Sequence, residues 1–177
     1  MTLTAILPTL RASVPDPVDP FLWPAHTVPT TDDVLVAAIS MVRLADLAGT
    51  PCVHTAEQAP PRYRPRDWAP RDVSVAVASV ARVRRPRPGV VLLELDAVLP
   101  RCAVLEQVRL IGRTSTAPLS TMYVVTRCDG ETDGPFHRLP TPLPADVRAG
   151  DLVCFPCLAT VRHRDVVEPV RAEVAEA

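Results

Sequence analysis

The sequence contains no lysine, because all 19 of its lysine-plus-arginine residues are arginines. A Schiff base forms on a lysine amine, and the arginine guanidinium, which stays protonated, does not replace it. Glycine is also scarce, with 6 residues, and none of them forms a glycine-rich phosphate loop. The chain itself therefore lacks the nucleophile that lysine-dependent covalent chemistry requires.

Other absences narrow the classes of protein further. The formal net charge is −1, which argues against a dedicated nucleic-acid binder. No apolar run reaches the roughly 18–20 residues of a membrane span. Residues 1–10 lack the positive start and long apolar run of a signal peptide, and five cysteines are an odd number. We therefore predict a cytoplasmic protein with free thiols and no membrane or nucleic-acid partner.

Hydrophobic residues and prolines are abundant. The hydrophobic fraction is 47%, which predicts a folded protein with a real core, and 177 residues suit one domain, residues 1–177. Prolines number 21 and break helices and interior strands, so short strands with stiff loops are expected.

The chain divides into segments by composition. Residues 1–20 contain four prolines and predict an irregular N-terminal arm, residues 58–72 read as a Pro/Arg linker, and residues 165–177 form a charged tail. Ser40 is a good cap for a short helix over residues 41–48, which Gly49-Thr50-Pro51 ends.

Short strands are predicted along most of the chain. Residues 73–83 alternate cleanly, with valines on one face, and strands are also expected at 34–38, 90–99, 104–111, 122–125 and 152–161. Six or seven strands with one helix predict an all-β fold: a single closed or partly open β-barrel with one short α-helix.

Several motifs match a known family. The chain carries Cys128-Asp129-Gly130-Glu131-Thr132-Asp133, then Leu143-Pro144 and Gly150-Asp151, and near its start Trp23-Pro24 and Gly49-Thr50-Pro51. This pattern resembles the C-terminal β-barrel domain of the fold-type III PLP-dependent decarboxylases, the ornithine and diaminopimelate decarboxylase family. The loop after Cys128 is one residue longer than the family pattern.

The departures from that family are large. Where the family has its PLP-binding TIM barrel, this chain has only residues 58–72. Val161 stands where an ungapped count places the family's phosphate-binding tyrosine, and no lysine is present to hold PLP. The resemblance therefore implies a β-domain standing alone, and no cofactor is expected.

The resemblance also implies roles for two residues. In the family, the residue matching Cys128 aids protonation and the one matching Asp129 binds the substrate amine across a dimer interface, so a homodimer is implied. The alternative is a relic loop whose partner barrel is gone. Tyr123 and His137 lie near this loop and are candidate substrate-binding residues; a satisfied tyrosine and an ordinary loop histidine are the alternatives.

Glu94 and Asp96 are two residues apart on a predicted strand and would share one face. On an interior face they would form a pair able to act as acid and base with raised pKa values, whereas on an exterior face they would be solvated.

The motif Cys154-Phe155-Pro156-Cys157 lies in an apolar strand that directs the two thiols to opposite sides. It therefore predicts structural cysteines, and no metal site is expected.

Three functions fit these observations. The first is a cofactor-independent cyclase, which folds an apolar polyketide-like or terpenoid substrate in a barrel pocket or in the former cofactor-facing cleft; a Diels-Alderase is one example. The second is a non-catalytic subunit that completes a separate PLP-barrel protein, and the third is a structural domain. A composition rich in Pro, Ala, Arg and Val is typical of a high-GC actinobacterial source. Natural product biosynthesis in such bacteria recruits orphan folds, which favours the cyclase by association.

Overall fold

The computed structural model describes residues 2–126 and 140–167. Their secondary structure is mostly β, with ten strands and only short helices. The strands are β1 Thr27–Pro29, β2 Val34–Val36, β3 Ile39–Ser40, β4 Cys52–Glu57, β5 Asp72–Arg87, β6 Val90–Leu95, β7 Arg109–Ile111, β8 Leu119–Thr126, β9 Pro140–Pro144 and β10 Leu152–Cys157. The α-helices are α1 Leu3–Ile6, α2 Met41–Ala48 and α3 His163–Val166.

Strand β5 organises the main sheet. Its first half lies between β4 and β10, and its second half pairs with β6, all three antiparallel. The order across the sheet is β7-β10-β5-β6-β8-β9, with β4 also paired to β5. The β6–β8 pair is parallel, so the sheet is mixed.

The two outer strands of this sheet approach each other. Thr141 of β9 donates its hydroxyl proton to the carbonyl oxygen of Leu105 at 2.9 Å. Leu105 opens a 3-10 turn, Leu105–Gln107, that directly precedes β7. This contact brings the sheet to a nearly closed barrel, and the predicted all-β barrel fold is confirmed.

The inside of the barrel is filled by side chains. Phe155, Leu93, Leu95, Met122 and Leu143 are all 1% exposed or less and belong to one cluster of buried residues. Alternate residues of facing strands supply these side chains, as expected for a small barrel. In the described part of the chain, the barrel interior is therefore a packed core and does not form a ligand chamber.

A second apolar core lies on the outer side of the same sheet. Strands β1, β2 and β3 form a small antiparallel sheet. Its buried residues, with α2 and Trp23, pack against the outward side chains of β4, β5 and β10. The members of this cluster are Trp23, Val34, Val36, Met41, Ala45, Cys52, Val75, Val77, Ile111 and Cys154.

Helix α2 begins and ends where the sequence predicts. The Ser40 hydroxyl accepts a hydrogen bond from the Arg43 backbone N–H at 2.9 Å, which satisfies one of the free donors of the first turn. Gly49 follows the helix with a φ of 76°, a backbone conformation that favours glycine. Besides α2, the described residues contain two one-turn helices, α1 and α3.

Four predicted strand boundaries are wrong for local reasons. The strand expected at 34–38 ends at Val36, because Ala37 and Ala38 form a turn. The strand expected at 90–99 ends at Leu95, because Asp96 turns back to bond the backbone of Ser79. The strand expected at 104–111 begins with the 3-10 turn and pairs only from Arg109. The strand expected at 152–161 ends at Cys157, after which residues 158–160 are exposed.

The predicted arm and linker differ in how they join the barrel. The described arm contains α1 and a 3-10 helix, Pro8–Ala12, and its Arg11 is buried. Strands β4 and β5 are antiparallel neighbours whose last pair is Glu57 and Asp72, so residues 58–71 connect two adjacent strands directly. Most of that connection is exposed.

Among the described helices, none has the length and apolar composition needed to cross a membrane.

Candidate functional site

A cleft of about 330 Å³ lies between the N-terminal arm and the barrel. We call it the arm cleft. Its walls come from the arm, the β1–β2 connection, the segment around β7, the start of β8 and strand β9. The lining residues are Thr2, Arg11, Asp16, Pro17, Pro29, Thr30, Thr31, Asp33, Val34, Glu106, Gln107, Val108, Arg109, Leu110, Arg113, Ser115, Leu119, Pro142, Leu143 and Pro144.

The arm is held over the cleft by polar side chains from the segment around β7. Gln107 accepts hydrogen bonds at its Oε1 from the Asp19 backbone N–H at 3.2 Å and from the Trp23 indole at 3.1 Å. Arg109 donates from Nη2 to the carbonyl oxygen of Pro17 at 2.6 Å. The arm is thus a wall of the site, attached through two residues that lie about 90 positions further along the chain.

Arg11 enters the cleft from the arm and is 4% exposed. Its Nη1 donates to the carbonyl oxygen of Ala117, and its Nε lies 3.1 Å from a carboxylate oxygen of Asp16. Its Nη2 is buried and has no hydrogen-bond partner among residues 2–126 and 140–167. The wall of the cleft therefore includes a buried guanidinium that is paired with Asp16.

Arg109 brings a second guanidinium to the cleft. Burial lowers the pKa of Arg109 below its ordinary value, although the negative charges of the Cys154 thiolate form and of Asp16 oppose that change. Arginine nevertheless remains protonated in proteins. Its Nε is buried and finds no hydrogen-bond acceptor in the described part of the chain. The half-buried guanidinium of Arg109 donates to the carbonyl oxygens of Val108 and Pro17 and to the amide oxygen of Gln107, and Asp16 adds an attraction over a longer distance.

Arg113, at the same cleft, is fully engaged by carboxylates. Its Nε and Nη2 bond the two oxygens of Asp151 at 2.8 and 2.6 Å, and its Nη1 bonds Asp146 at 3.1 Å. The hydrogen bonds that Arg113 donates to Asp151 raise the pKa of Arg113, partial burial lowers it, and the hydrogen bond to Asp146 raises it further. This network holds the β7–β8 connection to the turn before β10 and leaves Arg113 in a structural role.

The walls of the cleft are mixed, because nine of its twenty lining residues are apolar and eleven are polar or charged. Val34, Leu119 and Leu143 supply apolar surface, and Arg11 and Arg109 supply cationic donors. In residues 2–126 and 140–167, no group of three His, Cys, Asp or Glu side chains has an arrangement that would hold a metal ion.

Glu94 lies outside the arm cleft, on the outer side of the barrel. Its neighbours Leu93 and Leu95 belong to the barrel core. Its carboxylate lies 3.1 Å from Arg84 and 3.6 Å from Arg82, two exposed arginines of β5. Glu94 therefore takes the exterior position that the sequence left open.

Asp96 follows the end of β6 and has its own partners. Its carboxylate accepts hydrogen bonds from the Ser79 backbone N–H at 2.8 Å and from the Thr50 hydroxyl. The expectation that Glu94 and Asp96 share a strand face is wrong, because the strand ends at Leu95. The structure gives the two carboxylates separate partners, and a catalytic role for either stays a prediction.

Of the remaining predicted site residues, Tyr123 is the one that the structure describes. Tyr123 lies on β8 between Met122 and Val124, both of which point into the barrel core, so Tyr123 faces outward. Cys128, Asp129 and His137 lie outside the described residues. Their predicted roles are therefore not addressed by the geometry.

The thiols of the CxxC motif lie on opposite sides of the sheet, as predicted. Cys157 belongs to the barrel core and Cys154 to the outer core. Burial raises the pKa of both thiols, for Cys157 with a further contribution from the neighbouring Cys102. Neither has the lowered pKa of a redox-active pair, which is consistent with structural cysteines.

Sequence reasoning missed Arg11 and Arg109. The available signal was an arginine inside an apolar run, Val104–Ile111, at a position where a strand would bury it.

A second depression, about 380 Å³, lies between residues 71–73 and 158–160. It is more open, and Arg71 and Asp72, its two charged residues, are both exposed.

No protein-family model matches the chain, and no curated protein matches it in sequence. Among solved structures, it is similar to the arginine decarboxylase of Paramecium bursaria Chlorella virus, with a TM-score of 0.37 and 16% sequence identity over 54% of this chain. The match spans 28% of the length of the viral enzyme.

Proposed function

We propose that the chain is a small-molecule protein whose ligand binds in the arm cleft. The observation that carries this proposal is the contrast between a barrel interior that is packed with side chains and a cleft beside it whose walls include Arg11 and Arg109. A volume of about 330 Å³ is at the lower end of ordinary ligand sites. The ligand site expected inside the barrel moves, in this proposal, to the cleft beside it.

The reaction we propose is the cofactor-independent ring closure expected from the sequence, on a mostly apolar polyketide-like or terpenoid substrate. A cycloaddition forms two σ bonds from two π bonds and requires no electron acceptor, proton carrier or lysine. The protein contributes a fixed substrate conformation and a donor that polarises a carbonyl. Arg109 is the donor that the cleft offers for this purpose.

We also infer that the barrel is a decarboxylase-like β-domain standing alone. Support comes from the Cys128–Asp133, Leu143-Pro144 and Gly150-Asp151 motifs, and from the direct connection of β4 to β5. In the resembling family the segment after Gly49-Thr50-Pro51 leads into a TIM barrel, whereas here it pairs with β5. With no lysine in these 177 residues, we propose that the chain does not use PLP.

The test uses the whole chain with neutral probes. Crystals are soaked with a set of small cyclic ketones and lactones, and binding in solution is followed by backbone amide shifts in NMR. We expect density for these probes in the cleft and shifts at Val34 and Leu143. In Leu119→Trp, where an indole fills the cleft, binding should weaken about tenfold or more. Leu158→Trp, at an exposed position outside the cleft, is the matched control.

Ring closure is tested separately, with a linear triene ketone that cyclises slowly by itself. We expect the wild-type protein and Leu158→Trp to accelerate closure by about tenfold or more, and Leu119→Trp to lose the acceleration. Binding without acceleration would support the ligand site and contradict the proposed cyclase activity. No binding in the cleft at all would overturn the whole proposal.

The alternative is a non-catalytic subunit that completes a separate PLP-barrel protein. The observation that favours it is exposed apolar surface on the arm, where Leu3, Ile6 and Leu7 are 52–70% exposed. Sedimentation of the chain alone and mixed with a PLP-barrel protein lacking its own β-domain tests this function. A one-to-one complex supports the subunit, and a self-associated dimer that ignores the barrel protein supports the homodimer expected from the resemblance.

A further inference from the structure

Two cysteines that are far apart in the sequence are neighbours beside the barrel core. Ala103 and Cys157 form an antiparallel bridge, which brings the connection between β6 and β7 against the end of β10. A backbone hydrogen bond reinforces this bridge, from the Leu158 N–H to the carbonyl oxygen of Cys102 at 3.0 Å. The backbone of Cys102 is therefore held next to that of Cys157.

The side chains of these two cysteines also share one environment. Cys157 is 1% exposed and belongs to the barrel core, and the half-buried Cys102 packs against the same cluster. Burial raises the pKa of Cys157, and the charge and a hydrogen bond of the neighbouring Cys102 thiol raise it further. Both cysteines are free thiols. The pair thus consists of a covered thiol beside one that solvent reaches.

The other two described cysteines are too far apart to form a bond with each other. Cys52 of β4 and Cys154 of β10 both lie in the outer core, and both pair with Val77, from opposite sides of β5. Two strand spacings, roughly 9–10 Å, therefore separate them. A disulfide requires Cα atoms less than about 7 Å apart. Among the described cysteines, Cys102 and Cys157 are the pair that the fold brings together.

We propose that Cys102 and Cys157 are a modification site, at which a peroxide converts the two thiols into an intramolecular disulfide. Reaction begins at Cys102, because a peroxide in solution reaches the half-buried thiol first. Cys157 is covered and reacts only with a group that is already beside it. The bond joins the β6–β7 connection to the end of β10, and a small thiol such as dithiothreitol reverses it.

The chemistry takes two steps and consumes one hydrogen peroxide. The Cys102 sulfur attacks one peroxide oxygen, so that an S–O bond forms as the O–O bond breaks, and a sulfenic acid and one water result. The Cys157 sulfur then attacks the Cys102 sulfur, so that an S–S bond forms as the S–O bond breaks. The departing hydroxide takes the Cys157 proton and leaves as a second water. Two thiols have then lost two electrons and two protons, and the peroxide has been reduced to water.

The test treats the folded, reduced chain with hydrogen peroxide and maps its peptides by mass spectrometry without reduction. We expect a cross-linked pair of peptides that contains Cys102 and Cys157 and has lost two hydrogens. Because the bond closes a long loop, residues 102–157, the thermal unfolding midpoint of the oxidised chain should rise by about 5–10 °C. Dithiothreitol should restore both thiols and the original midpoint.

Variants assign each step to one cysteine. Cys102→Ser should prevent the cross-link. Cys157→Ala should allow the sulfenic acid to accumulate at Cys102, where dimedone captures it, whereas the wild-type chain should give little of this adduct. Cys154→Ala removes a similarly buried thiol from the outer core. It is the matched control and should form the cross-link as the wild type does, and circular dichroism checks that each variant is folded.

Several results would overturn this inference. They are thiols that all stay unchanged in peroxide, a Cys102 that oxidises to a sulfinic acid while Cys157 stays reduced, and a bond from Cys102 to Cys128, which lies outside the described residues. A cross-link that forms only in denaturant would also contradict it, because the folded chain would not hold the pair together. None of these results bears on the arm cleft, so the disulfide and the proposed function are tested independently.

Discussion

At the residue scale, the described cysteines show how burial determines reactivity. Cys52 is buried, and loss of solvation, with a smaller effect of Asp96, raises its pKa to about 11. Burial also raises the pKa of Cys154 and Cys157. Because the thiolate is the reactive form, three thiols that stay protonated at neutral pH are chemically inert.

We therefore predict that Cys52, Cys154 and Cys157 resist alkylation in the folded protein at about pH 8. Iodoacetamide labelling followed by peptide mass mapping measures each site. Cys102, which is only half-buried, serves as the comparison and should be labelled first.

Labelling in denaturant is the control, and all three buried cysteines should then react. Rapid native labelling of Cys154 at a rate close to that of Cys102 would contradict the burial argument.

At the element scale, the β2–β3 hairpin carries unusual turn chemistry. Val36 pairs with Ile39, so the turn consists of Ala37 and Ala38 alone. Both have positive φ values, 49° and 66°. Two-residue hairpin turns of this kind strongly prefer Asn-Gly or Gly-Gly, because a Cβ is strained in the left-handed region. Packing of β2 against the outer core maintains the turn against its local preference.

Ala38→Gly should therefore stabilise the protein by up to about 1.5 kcal/mol. Relief of a left-handed alanine gains about 1–2 kcal/mol, and the extra freedom of glycine in the unfolded chain costs about 0.5–1 kcal/mol. Urea unfolding measures the change.

Ala48→Gly, the same substitution in the last turn of α2, is the matched control. It should destabilise by up to about 1 kcal/mol, because helical alanine has no such strain. Destabilisation of similar size by both substitutions would contradict the strained turn.

At the scale of the whole molecule, one sheet separates two apolar cores. Strands β5 and β10 contribute to both, with Ala76 and Phe155 facing the barrel interior, and Val75 and Cys154 facing the outer core. A strand buried on both faces reads as a nearly continuous apolar run, as β10 does. The filled barrel then provides rigid support for the arm cleft.

Phe155→Ala should destabilise the protein by about 3–5 kcal/mol, because it removes a fully buried ring from the barrel core. Chemical unfolding followed by circular dichroism measures the loss.

Leu158→Ala, three residues later and 51% exposed, should change the free energy of unfolding by only about 0.5 kcal/mol. If Phe155→Ala were equally mild, the barrel interior would not be the packed core described above.

Local patterns in the sequence were sufficient for several elements. Alternating valines placed a strand within β5, and Ser40 with Gly49 predicted the exact bounds of α2. Both depend on neighbours within a few residues, where a period of two or 3.6 records which side chains face a core. The same patterns could not show that β6 and β8 pair in parallel, since strand partners are selected over long separations.

By itself, the sequence determined the all-β class, the capped helix and the absence of a lysine for PLP. Only the tertiary structure decided that the barrel is filled, that Glu94 faces outward and that Asp96 leaves its strand. The arm cleft is also decided by the tertiary structure. There, Arg11 donates a hydrogen bond to Ala117, 106 residues away in the sequence, and Arg109 donates one to Pro17, 92 residues away. Cavities and buried charges form between segments distant in the chain, and no local periodicity encodes which segments will meet.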